Sequence, residues 1–184
     1  ALYKVEYVEK REDEKIWIGK AQFKSRILAE NLRKVERVFP FIITIGKKLE
    51  EEAARQKDLL SQYYLEEIAD IALSKVSSYL EKYIRKTYST GQISRMSPGE
   101  LADWPITQQR ELFLLFGDKQ NPIGVTLTEN FLMIPRKSVS GVFFPTSIKF
   151  YSCKLCPRKN CHRRKAAYDE NLAKIYIYGQ NKHL

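Results

Sequence analysis

The stretch LLSQYYLEEIADIALSKVSSYLEKYIRKT, residues 59–87, decides what kind of fold this chain can adopt. Apolar side chains recur there at steps of three and four, as Tyr64, Leu65, Ile68, Ala72, Val76, Tyr79, Leu80 and Tyr83, with no Gly or Pro among them. That period lines up one face of an α-helix and predicts a long core helix. Its tyrosines read as packing groups rather than a ligand-stacking surface, because aromatic residues at helical spacing usually line a core.

The pattern changes on both sides of this helix. Upstream, KKLEEEAARQKD (47–58) predicts a charged surface helix and the β-branched run FIITIG (41–46) a short buried strand ending at Gly46. Before that, FKSRILAENLRKVERVF (23–39) places Phe23, Ile27, Leu28, Leu32, Val35 and Val38 at helical spacing and predicts a helix closed by Pro40. The opening YKVEYV (3–8) alternates like a half-buried strand. Downstream, STGQISRMSPGELADWP (89–105) breaks the helix and ITQQRELFLLFG (106–117) predicts a shorter one. IGVTLTENFLMIP (123–135), SVSGVFFP (138–145) and KIYIYG (174–179) then predict strands. With no repeat or linker, the expected architecture is a single α+β domain over 1–184, with helices packed on a mixed, largely antiparallel twisted sheet.

The composition excludes some classes of function. No apolar run reaches the roughly 20 residues a membrane helix needs, and the N-terminus has no apolar signal core, so no membrane partner and a cytoplasmic location are expected. The histidines are two, His162 and His183, and there is no glycine-rich phosphate loop, G-x-S-x-G or H-E-x-x-H. Any difficult chemistry then falls to a cofactor or a partner, with this chain binding and orienting.

The most specific signal is the run from Ile123 to Gly141, read with RMSPGE upstream. Gly124, Leu127, Thr128 and Glu129, then Pro135, then Ser138, Val139, Ser140 and Gly141, form an ungapped pattern. It resembles the activation domain of cobalamin-dependent methionine synthase, the module that binds S-adenosylmethionine. The family's R-x-x-P-G-Y is met by Arg95, Pro98 and Gly99, with Met96 after the arginine and Glu100 in place of the tyrosine; its aromatic pair is met by Phe150 and Tyr151. The resemblance covers residues 90–152 and implies an S-adenosylmethionine site drawn from Arg95, Met96, Pro98, Gly99, Glu100, Glu129, Phe150 and Tyr151. A guanidinium there can grip the ligand's carboxylate, a rigid turn can offer backbone groups to the base, and Glu100 can face the ammonium.

The resemblance also implies a mechanism and partners. The cobalt of methionine synthase occasionally oxidises from Co(I) to inactive Co(II). Rescue takes one electron, usually from a flavodoxin, and a methyl group from S-adenosylmethionine. These residues contain no homocysteine, folate or cobalamin module, so the expectation is a free-standing domain acting in trans. Its partners would be a cobalamin-binding methionine synthase chain and a flavodoxin-like electron donor.

Two features lie outside the motif. Cys153, Cys156 and Cys161, next to His162, have the opening spacing of a zinc or iron–sulfur site, although ordinary reduced thiols or a Cys153–Cys156 redox pair suit the same pattern. The segment 153–165 is also basic: from Asn130 to Tyr168 there are nine Lys or Arg residues and no acid, within a chain of net charge +10. Such a block suits an acidic protein surface or a solvated face. A nucleic-acid-binding module with the cysteines as a knuckle is the rival reading, although the basic residues are not interleaved with aromatics. An activator of another corrinoid methyltransferase is the third.

Overall fold

A computed structural model of the chain describes residues 1–117 and 122–178. The strands are β1 (Leu2–Tyr3), β2 (Glu6–Arg11), β3 (Lys15–Ile18), β4 (Ala21–Lys24), β5 (Arg37–Thr44), β6 (Ile93–Met96), β7 (Thr126–Leu127), β8 (Met133–Ile134) and β9 (Ser138–Pro145). The helices are α1 (Arg26–Asn31), α2 (Lys48–Arg55), α3 (Leu59–Tyr88), α4 (Gln109–Leu114) and α5 (Glu170–Tyr178). One antiparallel sheet runs in the order β4-β3-β2-β5-β9-β6, with β1 continuing the β2 side of β5, while β7 and β8 form a separate hairpin. The fold is therefore the α+β class that the change of period announces.

The sheet separates two cores. On one face, Phe39, Phe41, Ile43, Ile93 and Phe143 pack against Leu80 and Ile84 of α3, with Phe41 and Phe143 stacked at 4.3 Å between centroids. On the other, Val38, Met96, Val142 and Phe144 join Ile27, Leu28, Trp104, Leu112 and Ala173, which α1, the loop after β6, α4 and α5 supply. The alternation along β5 and β9 sends neighbouring residues to opposite cores, which is why both strands are apolar almost throughout.

Several elements differ from the sequence-based expectation. The helix expected over 23–39 is only Arg26–Asn31: Phe23 belongs to β4, Val38 to β5, and Pro40 sits inside β5. Pro40 is tolerated because β1 and β2 meet beside it; its carbonyl accepts from Lys4 N at 3.0 Å, so the missing N–H falls at a break in the ladder. The hairpin β3–β4 turns at Gly19, whose φ of 50° is left-handed. Within the expected helix break, β6 forms the sheet edge. The expected strand KIYIYG falls in α5 as far as Tyr178, because Asp169 caps Leu172 N at 2.9 Å and Ala173 is buried in the core; Gly179 and His183 lie outside the described residues. Finally, α3 buries only Ala69, Leu80 and Ile84, and Tyr64, Ile68, Tyr79 and Tyr83 are exposed, since a single sheet face covers one side of so long a helix.

Candidate functional site

The site is built around the edge strand β6. Arg95 lies opposite Phe143 of β9 and Met96 opposite Val142, so successive side chains point to opposite faces. Met96 goes into the core at 2% exposed. Arg95 stays on the α3 side, where its guanidinium donates to Glu100 Oε1 at 2.9 Å and to Ser77 Oγ of α3 at 3.4 Å. Both members of the Arg95–Glu100 pair keep 28% of their side-chain surface, enough for water or a ligand to reach them.

A tight turn brings Glu100 back to Arg95. Glu100 N donates to Ser97 O at 3.2 Å, with Pro98 and a left-handed Gly99 (φ 85°) in the middle, a type II turn. Pro98 is buried while Gly99 is exposed. Gly99 N donates to Trp104 O at 2.7 Å, and Trp104 is fully buried against Phe23, edge to face at 5.7 Å. The Trp-Pro pair that follows the turn is thus its anchor. Asp103, just before it, receives Ser25 Oγ, Arg26 N and Ile27 N, tying the turn to the start of α1.

The third wall comes from 52 residues further on. Ser152 Oγ donates to Glu100 Oε2 at 2.7 Å, and Phe150 N donates to Ser94 Oγ of β6 at 2.7 Å. These contacts tie the segment 150–152 to β6 and to Glu100. Phe150 packs on the core, and Tyr151 is half-buried. Ser77, Ser94 and Ser152 escaped the sequence reading because a serine carries no signal until its neighbours are known. Glu129 is exposed at the tip of the β7–β8 hairpin, and no hydrogen bond or ion pair among the described residues joins it to this cluster.

Gly141 explains the end of the S-V-S-G run. A Cβ there would come within 2.4 Å of Met96 O and 2.6 Å of Ser97 Oγ, so only glycine lets β9 pass this close beneath the turn.

The cysteine segment behaves otherwise than its spacing suggests. Among the described residues no three His, Cys, Asp or Glu side chains gather as a group that could hold a metal ion, and Cys153, Cys156 and Cys161 are free thiols. Instead the Arg164 guanidinium occupies the loop, donating to the carbonyls of Cys153 (2.9 Å), Cys156 (3.2 Å), Ala166 (3.3 Å) and Arg158. A cation already organises this segment, and Cys153 Sγ accepts from Lys165 N at 3.4 Å.

Much of the basic block is likewise consumed within the fold. Arg136 and Lys137 pair with Glu66, Lys137 and Arg163 with Asp70, and Lys149 with Glu81, all acids of α3. Burial opposes the charge on Lys137, but hydrogen bonds to Glu66 and Asp70 outweigh it and raise its pKa above the ordinary lysine value. The hydrogen bond from Lys137 lowers the Glu66 carboxyl below its ordinary range. No helix among the described residues is long and apolar enough to cross a membrane.

The profile of one protein family, described as the activation domain of vitamin B12 dependent methionine synthase, matches residues 26–166. No curated protein matches the chain. The matched range contains every wall of the β6 cluster: Ser77, Arg95, the Pro98–Gly99 turn, Glu100, Phe150, Tyr151 and Ser152.

Proposed function

The chain belongs to the family of activation domains of vitamin B12 dependent methionine synthase, which gives it a role in the methionine synthase system. On that premise we propose that it binds S-adenosylmethionine at the β6 cluster and so supports reductive methylation of cobalamin carried by a methionine synthase partner. A flavodoxin-like protein is the proposed electron donor. The observation that carries the reading is the joining of Arg95, Glu100 and Ser152 across 52 residues of sequence.

The donor set fits the ligand. The amino-acid end of S-adenosylmethionine is a zwitterion, and Arg95 and Glu100 present one cation and one anion 2.9 Å apart. A zwitterion that separates such a pair satisfies both halves, its carboxylate on the guanidinium and its ammonium on the carboxylate. Ser152 and Ser77 hold Glu100 and Arg95 in place meanwhile. Tyr151, half-buried and next to Ser152, adds flat surface whose face tolerates a sulfonium. When bound, S-adenosylmethionine supplies an electrophilic methyl group. The chain's own residues need only orient it, and none of those in the cluster is required as a general acid or base.

Titration calorimetry with S-adenosylmethionine tests this reading. The wild type is expected to bind, and Arg95→Ala to weaken binding by about 1.5–3 kcal/mol through loss of a charged hydrogen-bonded contact. No heat at millimolar ligand removes S-adenosylmethionine from the proposal, whereas an unchanged variant removes Arg95 from the site.

A further inference from the structure

The outward face of α3 suggests a second use of that helix. Its inner side is committed, with Ala69, Leu80 and Ile84 buried and Glu66, Asp70 and Glu81 in ion pairs. On the outer side, Leu60, Tyr64, Ile68 and Ile71 are 61%, 56%, 51% and 58% exposed. At 3.6 residues per turn these four fall on one stripe, and a contiguous apolar stripe rimmed by polar groups marks an interaction surface.

The charges on the stripe select its occupant. Glu67 lies one turn before Ile71 and Lys75 one turn after it, and neither has an ion-pair partner among the described residues. We propose that two copies of the chain associate through antiparallel packing of α3, with the two-fold axis level with Ile71. Residues equally far to either side of Ile71 then lie level with one another. Glu67 meets Lys75 of the second copy and Lys75 meets Glu67, so one self-complementary surface makes two ion pairs. Two turns out, Tyr64 lies level with Ser78, which is small enough to admit the ring; three turns out, Leu60 lies level with the aliphatic stem of Lys82. The seam from Leu60 to Lys82 is about 33 Å long. An anionic lipid surface would have to accept Glu67 in mid-stripe, and a partner of one charge sign would satisfy only half of it.

Sedimentation of the whole chain over a wide concentration range tests the proposal, with circular dichroism as the control for folding. The wild type is expected to dimerise, and Ile71→Glu, at an exposed position, to give a folded monomer. Glu67→Lys or Lys75→Glu alone replaces attraction by repulsion and is expected to raise the dimer dissociation constant by roughly tenfold. The double variant restores both pairs in reverse and is expected to return close to the wild type. A wild type that stays monomeric to near-millimolar concentration, or a double variant no tighter than its parents, overturns the proposal. Because no substitution touches Arg95 or Glu100, the outcome is independent of S-adenosylmethionine binding.

Discussion

In the proposed function Arg95 and Glu100 divide the recognition of one zwitterion, so their substitutions are expected to act on different ends of the ligand. Glu100→Gln keeps the shape and the hydrogen bond to Ser152 but removes the anion, and is expected to weaken S-adenosylmethionine binding by roughly tenfold. 5′-Methylthioadenosine lacks the whole amino-acid end, so calorimetry with it should find wild type, Arg95→Ala and Glu100→Gln alike; a loss with this ligand too would point to damage of the turn. Gly141 gives a stability prediction. Gly141→Ala drives a methyl group against Met96 O and Ser97 Oγ and is expected to destabilise the fold by about 1–3 kcal/mol in urea denaturation. Arg95, the Pro-Gly turn and the S-V-S-G run were legible in the sequence as a motif. That Met96 points into the core and Arg95 out of it follows from strand alternation, which became visible only once β6 was seen to be a strand. Ser77 and Ser152 were illegible, because each acquires its role from a partner far away in sequence.

At the scale of elements, the helix α3 was clear from its period and the strand β9 from its density of Val and Phe, and what joins them was not. Lys137, just before β9, reaches Glu66 at 2.6 Å and Asp70 at 3.0 Å on α3 and forms a partly buried clamp. Glu66 has a lowered folded pKa, so its contribution is present above the ordinary glutamate range and lost as pH falls through the lowered value. Lys137 has a raised folded pKa, so its contribution is present below the ordinary lysine value and lost as pH rises through the raised one. Thermal denaturation against pH should therefore show stability falling on acidification below the carboxylate range, and Lys137→Ala should flatten that fall; equal slopes in the two proteins would show that the clamp contributes nothing. Where local pattern failed, tertiary context overrode it. KIYIYG alternates like a strand, yet the Asp169 cap and the burial of Ala173 make it helical up to Tyr178. Val38, Phe39 and Phe41 belong to a strand rather than to the expected helix because β5 feeds both cores, Val38 on one face and Phe39 and Phe41 on the other.

For the whole molecule, the nine basic residues between Asn130 and Tyr168 overstate the positive charge that a partner meets there. The fold spends Arg136, Lys137, Lys149 and Arg163 on α3, and Arg164 on the cysteine loop. Arg158, Lys159 and Lys165 remain exposed near that loop, and docking of an acidic partner on them is proposed. Arg158→Glu with Lys159→Glu is expected to slow association with the cobalamin-carrying protein, as rising salt does when it screens charges over about 8–10 Å, and to leave S-adenosylmethionine affinity unchanged. Stopped-flow association rates check this, and salt-independent rates would rule out steering by this patch. The central claim is tested most directly by reactivation. A cobalamin-dependent methionine synthase poised as Co(II) is given a one-electron donor, with the chain and S-adenosylmethionine present singly and together, and methionine formation is followed. Recovery is expected only when both are present and is expected to fall sharply with Arg95→Ala; recovery that needs neither the chain nor S-adenosylmethionine would contradict the proposed function.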